Sequence, residues 1–268
     1  MNISFCLFRR LSAKNLLPLL LLCLTLLCTS DGSELLRPTM RSLFYNALQP
    51  LGSTMYIWGG GWNESDTGAG IEALTIGISH RWRAFSEWQT SDYDFRATKY
   101  QIHDGLDCSG YIGWLLYNTL HTPDCSGYVF PASITASRLA ALHLGTLTVD
   151  ETWLPGDICS MPGHVWLCLG TCPDGSVLLI HSSPPGVRLC GTGSQAIRLA
   201  ERIMLFHYSD WFTRYPDCSV SIDYLYKSEK LRWHSFIFPD TGHYRSLSAN
   251  QITEFLFPKE ISPTTFLR

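Results

Sequence analysis

Apolar positions change their period along the chain, and each change marks a new element. Residues 42–51 show a short helical pattern that ends at Pro50 and Gly52. An apolar stretch, Met55-Tyr56-Ile57-Trp58, runs into Gly59-Gly60-Gly61. Three glycines allow a tight turn and a close approach of two backbones. Residues 62–103 are polar, aromatic and weakly periodic, which predicts a long loop with one short helix near residues 81–88. Loops of that length inside a domain are usually functional. A strong helix pattern covers residues 107–120, with Ile112, Leu115, Leu116 and Thr119 on one face and Asp107 as a natural N-cap. A further short helix is expected at residues 137–144.

The pattern then changes to strands. Residues 158–160, 164–170, 177–182 and 186–190 are apolar runs divided by Pro155-Gly156-Asp157 and Pro173-Asp174-Gly175-Ser176. They predict an antiparallel meander over residues 155–190. Residues 194–208 form an amphipathic helix with Ala196, Ile197, Ala200, Ile203 and Met204 on one side. Residues 209–240 read as irregular and rich in aromatics: Trp211, Phe212, Tyr215, Tyr224, Tyr226 and Trp233 are expected to pack on the core. Ser248 and Gln251 form a capping box opening a last helix to about residue 256. Helices first and an antiparallel sheet after them define an α+β class.

The N-terminus has its own layout. Arg9, Arg10 and Lys14 precede an apolar run over residues 16–28, and Thr29 to Ser33 are small and polar. This predicts a secretory signal peptide over residues 1–30, cleaved or kept as an anchor. The run falls short of the ~20 apolar residues that span a bilayer, so no stable membrane insertion is expected after its removal. Losing three basic residues and no acidic one moves the net charge from −3 to −6. No basic run is present, which argues against a nucleic-acid partner. Seven of the ten cysteines lie beyond residue 30: Cys108, Cys125, Cys159, Cys168, Cys172, Cys190 and Cys218. An odd number in an exported chain leaves at least one free thiol, and sequence leaves the pairing of the others open.

Cys108 stands at the first turn of the helix expected at 107–120. Unpaired N–H groups and the helix dipole there favour a thiolate, the reactive form. Asp107-Cys108-Ser109-Gly110 resembles the nucleophile motif of the NlpC family of papain-like peptidases, which act on bacterial cell-wall peptides. Three more segments are similar to that family in the same order: Tyr56-Ile57-Trp58-Gly59-Gly60, Pro155-Gly156-Asp157-Ile158 with Gly163-His164-Val165, and Ile180-His181-Ser182. The resemblance covers residues 42–200. It implies a papain-like fold in which N-terminal helices carrying the nucleophile pack on a central antiparallel sheet.

It also implies a Cys-His-His triad: Cys108 attacks a carbonyl, His164 moves the proton, and His181 orients His164. Tyr56, Asp107 and Ser109 become expected substrate-binding or oxyanion residues. No metal and no cofactor are expected. A zinc site from Cys159, His164, Cys168 and Cys172 is disfavoured, because residues four apart in a strand lie about 13 Å apart. The implied activity is hydrolysis of an amide bond in peptidoglycan stem peptides by a secreted or envelope enzyme. The favoured bond joins γ-D-glutamate to a diamino acid. An amidase or acyltransferase on the same fold, or a non-catalytic wall-binding relative, are the alternatives. The catalytic domain is expected over residues 42–206, with an insertion at 62–103, and a C-terminal extension over 207–268. The separation of Tyr56 and Cys108 departs from the family pattern because of that insertion.

Overall fold

A computed structural model of the chain describes residues 37–120 and 126–258. The expected signal peptide and Cys125 lie outside the described residues. The first helix, α1 (Met40–Leu48), starts two residues earlier than the apolar pattern suggested, because Thr39 and Ser42 form a capping box. The Ser42 N–H donates to Thr39 Oγ1 at 3.1 Å and the Thr39 N–H to Ser42 Oγ at 2.9 Å. Helix α2 (His80–Trp88) lies in the insertion. Helix α3 (Cys108–Leu120) is buried nearly all round, and α4 (Thr135–Ala141) follows.

Six antiparallel strands form one sheet: β1 (Gly145–Thr148), β2 (Ile158–Met161), β3 (His164–Thr171), β4 (Val177–Ser183), β5 (Gly186–Gly191) and β6 (Glu229–Trp233). Their order is β1-β6-β2-β3-β4-β5, so the molecule is α+β with a central antiparallel sheet. Pro162-Gly163 turns β2 into β3, with Gly163 at φ 76° and Met161 opposite His164. Proline before a glycine of positive φ is the residue pair that such a turn demands. A bulge between Cys168 and Gly170 shifts the β3–β4 register.

The expected meander corresponds to β2–β5, but the sheet is wider. Strand β6 comes from the region read as irregular and inserts between β1 and β2, pairing Leu231 with Leu147 on one side and Ile158 on the other. Its charged residues hid it. Lys230 is 3% exposed, with its ammonium donating to the carbonyls of Asp150 and Thr152 and lying 4.3 Å from the Trp153 ring centroid. Arg232 reaches Asp157, which is fully buried and also bound by Arg245, at 3.0 and 3.2 Å. The Pro-Gly-Asp segment is thereby tied to the C-terminal residues. Helices α5 (Ser194–His207), α6 (Ser209–Arg214), α7 (Asp223–Tyr226) and α8 (Ala249–Leu256) follow among the described residues.

Strand alternation divides the apolar residues into two layers. Val165, Leu167, Leu169, Leu178, Ile180, Val187 and Leu189 join the main core with α3 and α5. Cys159, Trp166, Cys168, Val177, Leu179 and Cys190 face the other way, under Trp153, Val220, Tyr224 and Leu225.

Candidate active site

Helix α3 owes its placement to the glycine loop before it. The Asp107 N–H donates to the Gly60 carbonyl at 2.9 Å, and the Leu106 N–H to that of Met55 at 3.2 Å. A Cβ on Gly110 would lie 1.9 Å from Gly60 O, so only glycine admits this contact. Gly61 holds φ 92° against the Gly110 Cα. From the sheet side, Ser182 Oγ donates to the Leu106 carbonyl at 2.6 Å, and the Tyr56 N–H donates to that of Pro185 at 2.8 Å. These bonds bring the start of α3 to the end of β4, one residue beyond His181.

Asp107 caps α3 as expected from sequence: Oδ1 accepts from the Gly110 N–H at 2.7 Å and from Ser109 Oγ at 2.8 Å. Ser109 in turn accepts from Trp62 Nε1 at 2.9 Å. Its hydroxyl is therefore engaged as both donor and acceptor and links the insertion to the cap. Burial pushes the Asp107 carboxyl up to about 6, against the lowering effect of the Gly110 and Ser109 donors. Tyr56 is buried, edge-on to Phe95 at 5.6 Å, and its carbonyl accepts from Tyr93 Oη at 2.6 Å. Burial, with Cys108 and Asp107 nearby, raises its hydroxyl above the ordinary phenol range.

His164 and His181 project from adjacent strands on the face of Trp166, and His164 Nε2 lies 2.9 Å from His181 Nδ1. The rings are nearly perpendicular, with centroids 5.0 Å apart. His181 is fully buried, and its Nε2 has no partner among the described residues. Across from it on β5, Arg188 donates to the carbonyls of Ser183, Pro184 and Asp217 at 2.8, 2.8 and 3.2 Å. Burial first and the Arg188 charge second lower His164 to about 4. His181 is lowered by burial, then by His164 and Arg188. Both imidazoles are therefore neutral at pH 7.

Cys108 is 6% exposed, with its sulfur against the backbone amide of Val165, the residue after His164. No hydrogen bond joins it to either histidine among the described residues. The expectation that the helix N-terminus lowers this thiol is corrected here: burial, then the Asp107 carboxyl, push Cys108 up to about 12. Desolvation of the charged form outweighs the helix dipole.

Tyr224, in α7, is the site residue whose role the sequence did not reveal. Its ring lies 5.3 Å from that of His164, 5.9 Å from His181 and 6.0 Å from Trp166. Burial, then the Cys190 and Cys108 sulfurs, raise its hydroxyl. It was one aromatic among several in the tail, and no local pattern set it apart. All six described cysteines are unpaired thiols. No group of three or more His, Cys, Asp or Glu side chains suited to a metal occurs among the described residues. No helix among them is long and apolar enough to cross a membrane. Comparison with family models, curated proteins and solved structures returns no match.

Proposed function

We propose that this chain is an exported cysteine peptidase of NlpC type, with a papain-like fold, acting on peptidoglycan stem peptides. The observation that carries this reading is the His164–His181 hydrogen bond at 2.9 Å, on two strand ends tied to the N-terminus of the helix bearing Cys108. His164 Nε2 is committed to His181, which leaves Nδ1 to take the thiol proton. As the Cys108 sulfur adds to the scissile carbonyl, the proton moves to Nδ1 and the oxyanion forms beside the first turn of α3. Among the described residues no backbone carbonyl accepts from the Cys108 N–H, which leaves it as an oxyanion donor. The tetrahedral adduct collapses by breaking the C–N bond, and His164 returns the proton to the leaving amine. Water, deprotonated by the same imidazole, hydrolyses the thioester and regenerates the thiol. His181 accepts from His164 Nε2–H throughout and stabilises the imidazolium. The favoured bond is γ-D-glutamyl to diamino acid, and residues 1–30 direct the chain to it.

The test is digestion of purified peptidoglycan by wild type and Cys108→Ala, with fragments read by mass spectrometry. Wild type releases stem-peptide fragments with a new amine terminus, and Cys108→Ala does not. Equal release by both proteins rules out the nucleophile.

A further inference from the structure

A strap from Asp217 to Ser228 crosses the histidine face of the sheet. One end is fixed where Arg188 Nε donates to the Asp217 carbonyl, the Gly191 N–H to that of Cys218 at 2.9 Å, and the Val220 N–H to that of Gly191 at 3.0 Å. The other end is fixed where Trp166 Nε1 donates to Ser228 Oγ at 3.1 Å, just before β6. Between these anchors the only regular structure is α7, four residues long, with Ile222 and Tyr226 exposed. Tyr224 and Leu225 are the inward residues at its centre, and Tyr224 lies against both imidazoles. His181 beneath it is fully buried, and the Cys108 sulfur, 6% exposed beside the Val165 backbone, is near enough for its charge to act on the Tyr224 hydroxyl.

We propose that the strap is a lid over the Cys108–His164–His181 site and that the Tyr224 ring is its latch. Substrate reaches the thiol when Tyr224 leaves the imidazoles, and the two anchored ends act as hinges. A four-residue helix with Ile222 and Tyr226 exposed is a short local unit of the kind that opens without global unfolding. Tyr224 then limits what enters the site. The lid also explains how a nucleophile can stand buried at rest: opening admits water and substrate together.

The inference rests on Cys108 being the reacting group, and its test needs no substrate. The full chain, reduced, is treated with iodoacetamide at pH 8, and modification of each cysteine is followed by peptide mass spectrometry. Tyr224→Ala is expected to speed Cys108 alkylation at least tenfold, with Cys172, a buried thiol of the main core layer away from the strap, unchanged. Tyr224→Phe keeps the ring and is expected to stay within threefold of wild type. Equal Cys108 rates in wild type and Tyr224→Ala overturn the lid, as does acceleration by Tyr224→Phe to the Tyr224→Ala rate. Parallel acceleration at Cys172 means unfolding and also counts against it. A gated Cys108 in a protein inactive on peptidoglycan preserves the lid and removes the proposed substrate.

Discussion

Raising the pH should speed alkylation of Cys108 through a range in which an ordinary thiol has already levelled off. The structure moves this thiol from 9.0 to about 12, with burial as the main cause. A shift of that size corresponds to about 4 kcal/mol, at ~1.4 kcal/mol for each pH unit. The opposing pull of the helix N-terminus is worth ~0.3–1 kcal/mol, and at most ~2 kcal/mol in partly buried geometry, so burial wins. At pH 7 the thiolate fraction falls to roughly 10⁻⁵, about a thousandfold below that of an unshifted thiol, before any steric hindrance is counted. The assay is a series of short iodoacetamide pulses from about pH 6 to about pH 10.5, quenched and read on the Cys108 peptide. The logarithm of the rate should climb by about one per pH unit with no plateau. A plateau below about pH 8 would mean a thiolate–imidazolium pair at rest, and the neutral site described above would be wrong.

Three further outcomes are expected. Because His164 must be neutral to accept the thiol proton and is lowered to about 4, the acid limb of kcat/KM for stem-peptide cleavage should fall near pH 4; a limb at about pH 6.5 would refute the burial of the imidazole. Asp157→Ala removes a fully buried carboxylate from between Arg232 and Arg245 and should cost about 3–5 kcal/mol in urea unfolding, a loss below about 1 kcal/mol contradicting the ion cluster. Gly110→Ala gains helix propensity of ~1 kcal/mol yet puts a Cβ 1.9 Å from Gly60 O, so net destabilisation by more than about 1 kcal/mol is expected, and a gain in stability would show that the glycine loop does not rest on α3 as described.

The elements that local pattern reveals are those whose partners are close in sequence. Strands β2–β5 follow one another through short turns, and Pro162-Gly163 and Asp174-Gly175 are turn residues by their own chemistry. Asp107 caps α3 through atoms within three residues of itself. Strand β6 was illegible because Glu229, Lys230 and Arg232 look like a solvated surface. The Lys230 and Arg232 charges are met by Asp150 and Asp157, about eighty residues away in the chain. Ser109 looked free to meet a ligand because its indole partner, Trp62, lies 47 residues away.

Sequence by itself determined an α+β chain with an antiparallel sheet, and it singled out Cys108, His164 and His181 as candidate site residues. Their types and flanking turns are local properties, written in consecutive residues. Tertiary structure alone decided their state. Whether Cys108 ionises depends on how much water the fold leaves around it, and the 6% exposure overrides the helix dipole that sequence could foresee. Whether the two histidines meet depends on β3–β4 register, set by a bulge that no local rule announces. That Tyr224 covers them follows from β6 inserting between β1 and β2, which draws the strap across the site. Burial and long-range pairing are properties of the whole packed chain, so no window of the sequence contains them.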